Sequence, residues 1–539
     1  MREQGPNWCW WGAAAICLAA LLVATTLFVD PRAWLLIRNT VALAAGATAI
    51  AVPIGAALAF LLLRTDLPGR TIFLVIFGSM LFVPIYLQAA GWDAGFGKQG
   101  WYSFAHDSAA TPILDGWRAA IWIHGAAAIP WVILIIGLGL WLVEPELEEA
   151  ALLDGSAWSV FLTMTTRRTV PFLVVAAMWI LVTVGTEMTV TDLYRVRTFA
   201  EEIYIDVPFV GAIDTLEPLR PTGLATALFV SSLVAITLVL LSRLVPPEHF
   251  PSHTRRRVFR LGHWRWPAAF VTGLMVLVLV GTPLLNVAYK AGLVVEQLDG
   301  VRLRHWSLPS FMRIVFSSPG QFREEHGWTL LIASLAATAT VVVATPLGWM
   351  ARRGTLRSVP AVATAAACLA MPGPMIGLSV IWLLNREESD LLVWLYDRTI
   401  FAPWLAMLVK ALPIAILLLW YAFRTVPDEL LESATSEGAG PVTRLMRIGL
   451  PVRWRSVASA WLAAFAIASG DLAASILVIP PGITTIPVRV FGLLHSGVDD
   501  QVAGICLTTV WAFAVLGSLI LGLMRPRRNA TRAIPNHRV

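Results

Sequence analysis

Apolar residues fall along this chain in long blocks, each about the twenty residues a helix needs to cross a bilayer, parted by shorter polar stretches. The blocks lie at 10–29, 40–63, 71–91, 119–143, 170–193, 222–244, 267–289, 328–351, 360–384, 401–423, 457–479 and 501–524. None shows the alternation, in segments of about ten residues, that marks strands of a membrane barrel. Backbone groups surrounded by lipid must be satisfied within the chain, so the pattern predicts an all-α integral membrane protein with about twelve transmembrane helices. Arg2 ahead of the first block also fits a secretory leader. The length of the block and the lack of a small-residue cleavage pattern at its end favour a retained helix.

Two polar inserts stand out. In the second, Val426-Pro427-Asp428-Glu429-Leu430-Leu431-Glu432-Ser433-Ala434 reads as a helix start: proline at a position that needs no amide hydrogen bond, then acids facing the positive end of the helix. Gly438 is placed to end that helix in a left-handed turn, and Pro441 to open another. The first insert, Pro145-Glu146-Leu147-Glu148-Glu149-Ala150-Ala151-Leu152-Leu153-Asp154-Gly155, has the same design. Glu149 precedes Gly155 by six positions, as Glu432 precedes Gly438.

The inserts belong to a longer repeat. Pro130 lies 19 residues before Glu149, and Pro413 lies 19 before Glu432. Glu187 follows Glu149 by 38 residues and Asp471 follows Glu432 by 39, so the chain is expected to hold two matching six-helix halves with a transport site between them. Arginines cluster on one side: Arg64 and Arg70, Arg167 and Arg168, Arg255 to Arg257, Arg352 and Arg353, Arg444 and Arg447, and the tail residues Arg525, Arg527 and Arg528. The excess of basic residues in cytoplasmic loops then puts both inserts and both termini in the cytoplasm of a cell (inner or plasma) membrane protein.

The inserts resemble the Glu-Ala-Ala signature of the permease subunits of ABC importers: Glu-Ala-Ala, three residues, Gly, nine residues, then Ile-x-Leu-Pro. The second copy carries Glu432, Ala434 and Gly438 through Ile448, Leu450 and Pro451, with Ser433 in place of one alanine. The first keeps Glu149, Ala150, Ala151 and Gly155 but has Thr165, Arg167 and Arg168 at the far end. The resemblance implies the type I importer permease fold, with permease domains at 39–244 and 328–524. A leading segment 1–38, a joint and outer segment 245–327, and a basic tail 525–539 flank them. It also implies that Glu149, Ala150, Ala151, Gly155, Glu432, Ala434, Gly438, Leu450 and Pro451 form surfaces that dock a separate ATP-binding subunit, in two copies, and that an extracytoplasmic binding protein delivers the cargo. Residues 187–193 with 197–204, and Asp471-Leu472-Ala473-Ala474 with Pro480-Pro481-Gly482, are similar to fused iron(III) permeases, so iron(III) is the favoured cargo among small solutes such as thiamine.

Composition fits this picture. The chain of 539 residues is 57% hydrophobic and 14% charged, about half the charge of a typical soluble domain, and its mean hydropathy is +0.72. The net charge of +6 follows from basic cytoplasmic loops rather than nucleic-acid binding. Cys9, Cys17, Cys368 and Cys506 form no Cys-x-x-Cys pair, and His249 and His253 no ligand spacing, so no metal or cofactor is expected. Gly97-Lys98 is followed by Gln99 and completes no phosphate loop, so the chain is not expected to hydrolyse ATP itself or to be an enzyme. Glu187, Lys410 and Asp471 fall within apolar blocks, where a central charge costs roughly 2.5–3.5 kcal/mol on insertion scales. They are candidates to line the pathway, or to pair across helices as Lys410 with Asp471. An ion-coupled secondary transporter using Glu187 and Asp471 is the rival reading.

Overall fold

The computed structural model describes residues 31–105, 112–143, 145–161, 165–210, 259–298, 301–386, 388–497 and 499–524. The expected spans at 10–29 and 222–244, most of the joint and the basic tail lie outside the described residues. Among the described residues, seven helices are long and apolar enough to cross a membrane, or nine if each of two bent pairs is one span. The eleventh expected span is a helix of only 16 residues, Trp454–Ser469. The molecule is an all-α, multi-pass membrane protein.

Two bundles of three helices carry the core. In one, α1 (Pro31–Arg64), α4 (Gly116–Trp141) and α6 (Thr166–Thr186) pack pairwise. In the other, α11 (Arg323–Ala351), α14 (Phe401–Arg424) and α16 (Trp454–Ser469) do the same. Lipid tails are as apolar as leucine, so helices associate through close packing of small residues rather than by hiding oily ones. Ala44, Ala47, Ala51 and Ala59 are buried on α1, and Ala333, Ala336, Ala337 and Ala344 on α11. At Gly55 the backbones approach so closely that a Cβ would stand 2.6 Å from the Val132 side chain.

The third and ninth expected spans are not straight. The first is α2 (Arg70–Met80) followed by α3 (Ile85–Phe96), with a bend of 103°. The other is α12 (Thr355–Ala370) followed by α13 (Gly373–Leu384), with a bend of 104°. The cause is proline at matching places: Pro84 (φ −57°, ψ 144°) and Pro372 (φ −54°, ψ 147°) stand in extended geometry at the start of the second arm. A proline also pushes its predecessor out of helical geometry, and Met371 is extended (ψ 119°).

The fifth and eleventh spans are cut as well. Helix α6 stops at Thr186, with Glu187 extended, and a single turn, α7 (Thr189–Leu193), follows. Helix α16 stops at Ser469, before Gly470 and Asp471. Beyond each break a further helix, α8 (Phe199–Val210) or α17 (Ile486–Ser496), begins against the matching long helix. Phe199 N–H donates to Thr40 Oγ1 at 3.3 Å, and Ile486 N–H to Thr329 Oγ1 at 2.9 Å. Contacts between the bundles are reciprocal too: α8 packs on α13, and α17 on α3.

The polar segment before residue 328 folds into an insert. After α9 (Gly262–Gly292) comes an antiparallel hairpin of β1 (Leu293–Leu298) and β2 (Val301–Trp306), then α10 (Leu308–Gln321). Helix α10 packs on the last span, α18 (Asp499–Met524).

Candidate coupling loops and pathway

Both inserts are short surface helices between spans. The first is α5 (Pro145–Asp154); the second is α15 (Asp428–Ser436), followed by Pro441–Arg444. On α15, Leu431 alone turns inward, 3% exposed, into a cluster with Trp349, Val426 and Phe423. Ile448, Leu445 and Leu450 pack on that cluster, and Gly449 lies so close to the Trp349 ring that a Cβ would be 2.7 Å away. Glu432 is exposed and Ala434 half-buried, while Leu430, Val442 and Met446 present apolar side chains outward. Gly438 has φ +81°. Its N–H bonds Thr435 O at 2.9 Å and Ala439 N–H bonds Ala434 O at 2.9 Å, the paired closure of a helix end that glycine makes possible.

The first insert departs from this design. Gly155 lacks a left-handed φ, and a Cβ there would meet only ordinary contacts at 3.7 Å. Glu149 and Ala150 are exposed, Ala151 is half-buried, and Leu153 is 88% exposed at the tip. The residue turned inward is Glu148, 1% exposed, whose two carboxylate oxygens accept from the Arg64 guanidinium. Thr165 Oγ1 donates to the same carboxylate at 2.9 Å, and Arg64 also donates to Leu140 O at 3.3 Å. The Phe259 ring lies 5.7 Å from the guanidinium carbon. Arg64 and Glu148 were missed as a pair in the sequence.

The acids at the breaks do not sit inside helices as the sequence suggested. Each caps the turn that follows its broken span. Glu187 accepts Thr189 N–H at 2.5 Å and Val190 N–H at 3.1 Å. Asp471 accepts Ala474 N–H at 3.2 Å and Ser475 N–H at 3.1 Å. Carboxylates suit such places because free N–H groups gather there. Glu187 also lies 3.3 Å from His124 Nε2 on α4, while His124 Nδ1 donates to Ala120 O at 2.9 Å. A carbonyl only accepts, so Nδ1 holds the neutral ring's proton, and Nε2 carries one only when the ring is charged. Among the described residues, no ion pair joins Lys410 to Asp471.

The breaks meet. Met188, beside Glu187, shares a buried cluster with Ala473, beyond Asp471, and with Ala200. Gly470 abuts the Pro84 bend, where a Cβ would be 2.4 Å from the proline ring. A further bond ties the bundles: His495 Nε2 on α17 lies 3.1 Å from Asp192 on α7. The hydrogen bond to Asp192 raises the His495 pKa, against burial and the nearby charge of Arg195, which lower it. Capped acids at two converging helix breaks satisfy backbone N–H groups where each apolar run is interrupted.

No family model matches the chain. It is 29% identical over 200 residues to the putrescine transport system permease protein PotI of Escherichia coli (strain K12), covering 37% of this chain and 71% of that protein. It is 31% identical over 180 residues to a putative ABC transporter permease protein, ORF1, of Streptomyces antibioticus, covering 33% of this chain and 75% of that protein. A putative molybdenum transport system permease protein of Bacillus subtilis (strain 168), YvgM, is 21% identical over 203 residues, covering 36% of this chain and 86% of that protein. With helix breaks, surface helices and relatives together, the chain belongs to the permeases of ABC transporters.

Proposed function

We propose that this chain is a fused two-repeat permease subunit of an ABC importer, with both pathway-forming halves, 39–244 and 328–524, on one polypeptide. The observation that carries the reading is the recurrence of a short surface helix, α5 and α15, whose Glu149 and Glu432 each stand 19 residues after the proline of α4 or of α14. The relatives' lengths support the fusion: each match takes up about a third of this chain but most of the relative. Glu149, Ala150, Ala151 and Gly155 on one loop, and Glu432, Ala434 and Gly438 with the landing Leu450-Pro451 on the other, dock two copies of a separate ATP-hydrolysing subunit in the cytoplasm. An extracytoplasmic binding protein hands over the cargo. Glu187, Lys410 and Asp471 line the pathway where the two breaks converge.

The cargo is a small charged solute. Iron(III) rests on the resemblance of residues 187–204 and 471–490. The relatives named for putrescine and molybdenum extend the range to other small solutes. The test is uptake by cells expressing the chain with its ATPase and binding protein, using labelled iron(III), putrescine and molybdate. ATP-dependent accumulation of one of them supports the reading and names the cargo. Uptake that persists without the ATPase and tracks an ion gradient would overturn it in favour of a secondary transporter working through Glu187 and Asp471.

A further inference from the structure

The two loops differ at matched positions. Glu148 stands one residue before Glu149, as Leu431 stands one before Glu432; Thr165 follows Gly155 by ten residues, as Ile448 follows Gly438. In the second loop Leu431 is buried with Ile448 packed on its cluster. In the first, the residues at both positions are polar and bonded to each other, Thr165 Oγ1 to Glu148 at 2.9 Å, with Arg64 completing the set. The departure of the first motif at its far end thus goes with a polar set where the second loop has apolar packing.

We propose that Arg64 and Glu148 are positioning residues that join the first loop to α1, so that α1 turns with the loop when a docked ATPase moves it. The inference rests on the reading of α5 as an ATPase-docking helix. Arg64 is the last residue of α1, Leu140 is near the end of α4, Glu148 is on α5, and Thr165 precedes α6, so one buried cluster fastens four elements. A guanidinium meets a carboxylate as a planar fork, which fixes direction as well as distance. Separating the pair would leave a charge uncompensated in a site where Arg64 and Glu148 are 2% and 1% exposed, so the joint holds while its parts move together. The Leu431 contact has no direction to enforce, and its neighbours can slide over it. The two loops therefore transmit differently, the first rigidly to α1 and the second through packing.

Spin-label distances on the full transporter with its co-purified ATPase, in lipid nanodiscs, test this. Labels go on a background with all four cysteines replaced. One pair, Leu153→Cys with Leu430→Cys, reads the approach of the two loops when MgATP and vanadate are added. The other, Leu153→Cys with Leu35→Cys, reads whether α1 follows the first loop. With the native joint, the loop-to-loop distance shortens and the loop-to-α1 distance stays single and unchanged. In Glu148→Gln, which keeps the shape and the Thr165 bond, and in Arg64→Met with Glu148→Leu, which copies the apolar slot of the second loop, the loops still approach but the loop-to-α1 distance shifts or splits. An unchanged loop-to-α1 distance in both variants overturns the joint alone. No nucleotide effect on the native protein's loops overturns the docking reading and the joint with it.

Discussion

Gly438 holds a backbone angle, φ +81°, that side-chain-bearing residues resist, though a Cβ there would touch nothing. Gly438→Ala should therefore cost about 1 kcal/mol through conformation alone. Gly155→Ala should be close to neutral, because that glycine is neither left-handed nor crowded. Thermal unfolding of the two variants in detergent checks the contrast; an equal loss at both would contradict it. His495 makes a second prediction at this scale. Its folded pKa is raised above the ordinary value near 6.5 by the bond to Asp192. A raised folded pKa means that the stabilisation is fully present below the unfolded value and fades as pH rises through the folded value. The contact between the bundles should thus be firmer at pH 6 than at pH 8, and His495→Gln should flatten that dependence. Protease resistance of the native chain and of the variant, followed across that range, checks the sign, and native resistance that rises with pH would contradict it.

Among the elements, the α1–α4 contact leaves no room for a side chain at Gly55. Gly55→Leu would drive a side chain into Val132, which a Cβ alone already approaches to 2.6 Å. Overpacking of this kind costs about 1–3 kcal/mol, and a melting temperature equal to that of the native protein would count against the packing described here. Among the described residues, the places of the long helices were legible in the sequence because twenty apolar residues in a row have few other uses. The breaks were not. A hydropathy block continues through Pro84, Pro372, Glu187 and Asp471, since each is a single residue in an apolar run. The bends come from where the proline's neighbours go, and the carboxylates act by capping N–H groups that exist only once the helix has broken. The Gly438 turn was readable because glycine answers a local backbone demand. The Arg64–Glu148 pair was not, because its partners are 84 residues apart and meet only when α1, α4 and α6 have packed.

For the whole molecule, two long-helix bundles face each other through reciprocal contacts, with two capped helix breaks between them and a surface helix fastened to each, by Glu148 on α5 and by Leu431 on α15. Such an arrangement suits a machine whose two ends are driven from outside the membrane and whose pathway lies at the seam. If α5 and α15 are handles for a separate motor, the tagged chain purified in mild detergent should carry an ATP-hydrolysing subunit, identified by mass spectrometry of what remains bound. That subunit should be lost in Gly438→Glu and in Glu432→Lys while the chain itself still inserts and purifies, the second variant changing an exposed side chain without touching the strained turn. An ATPase retained equally by both variants, or reproducibly absent from the well-folded native chain, would contradict the docking reading.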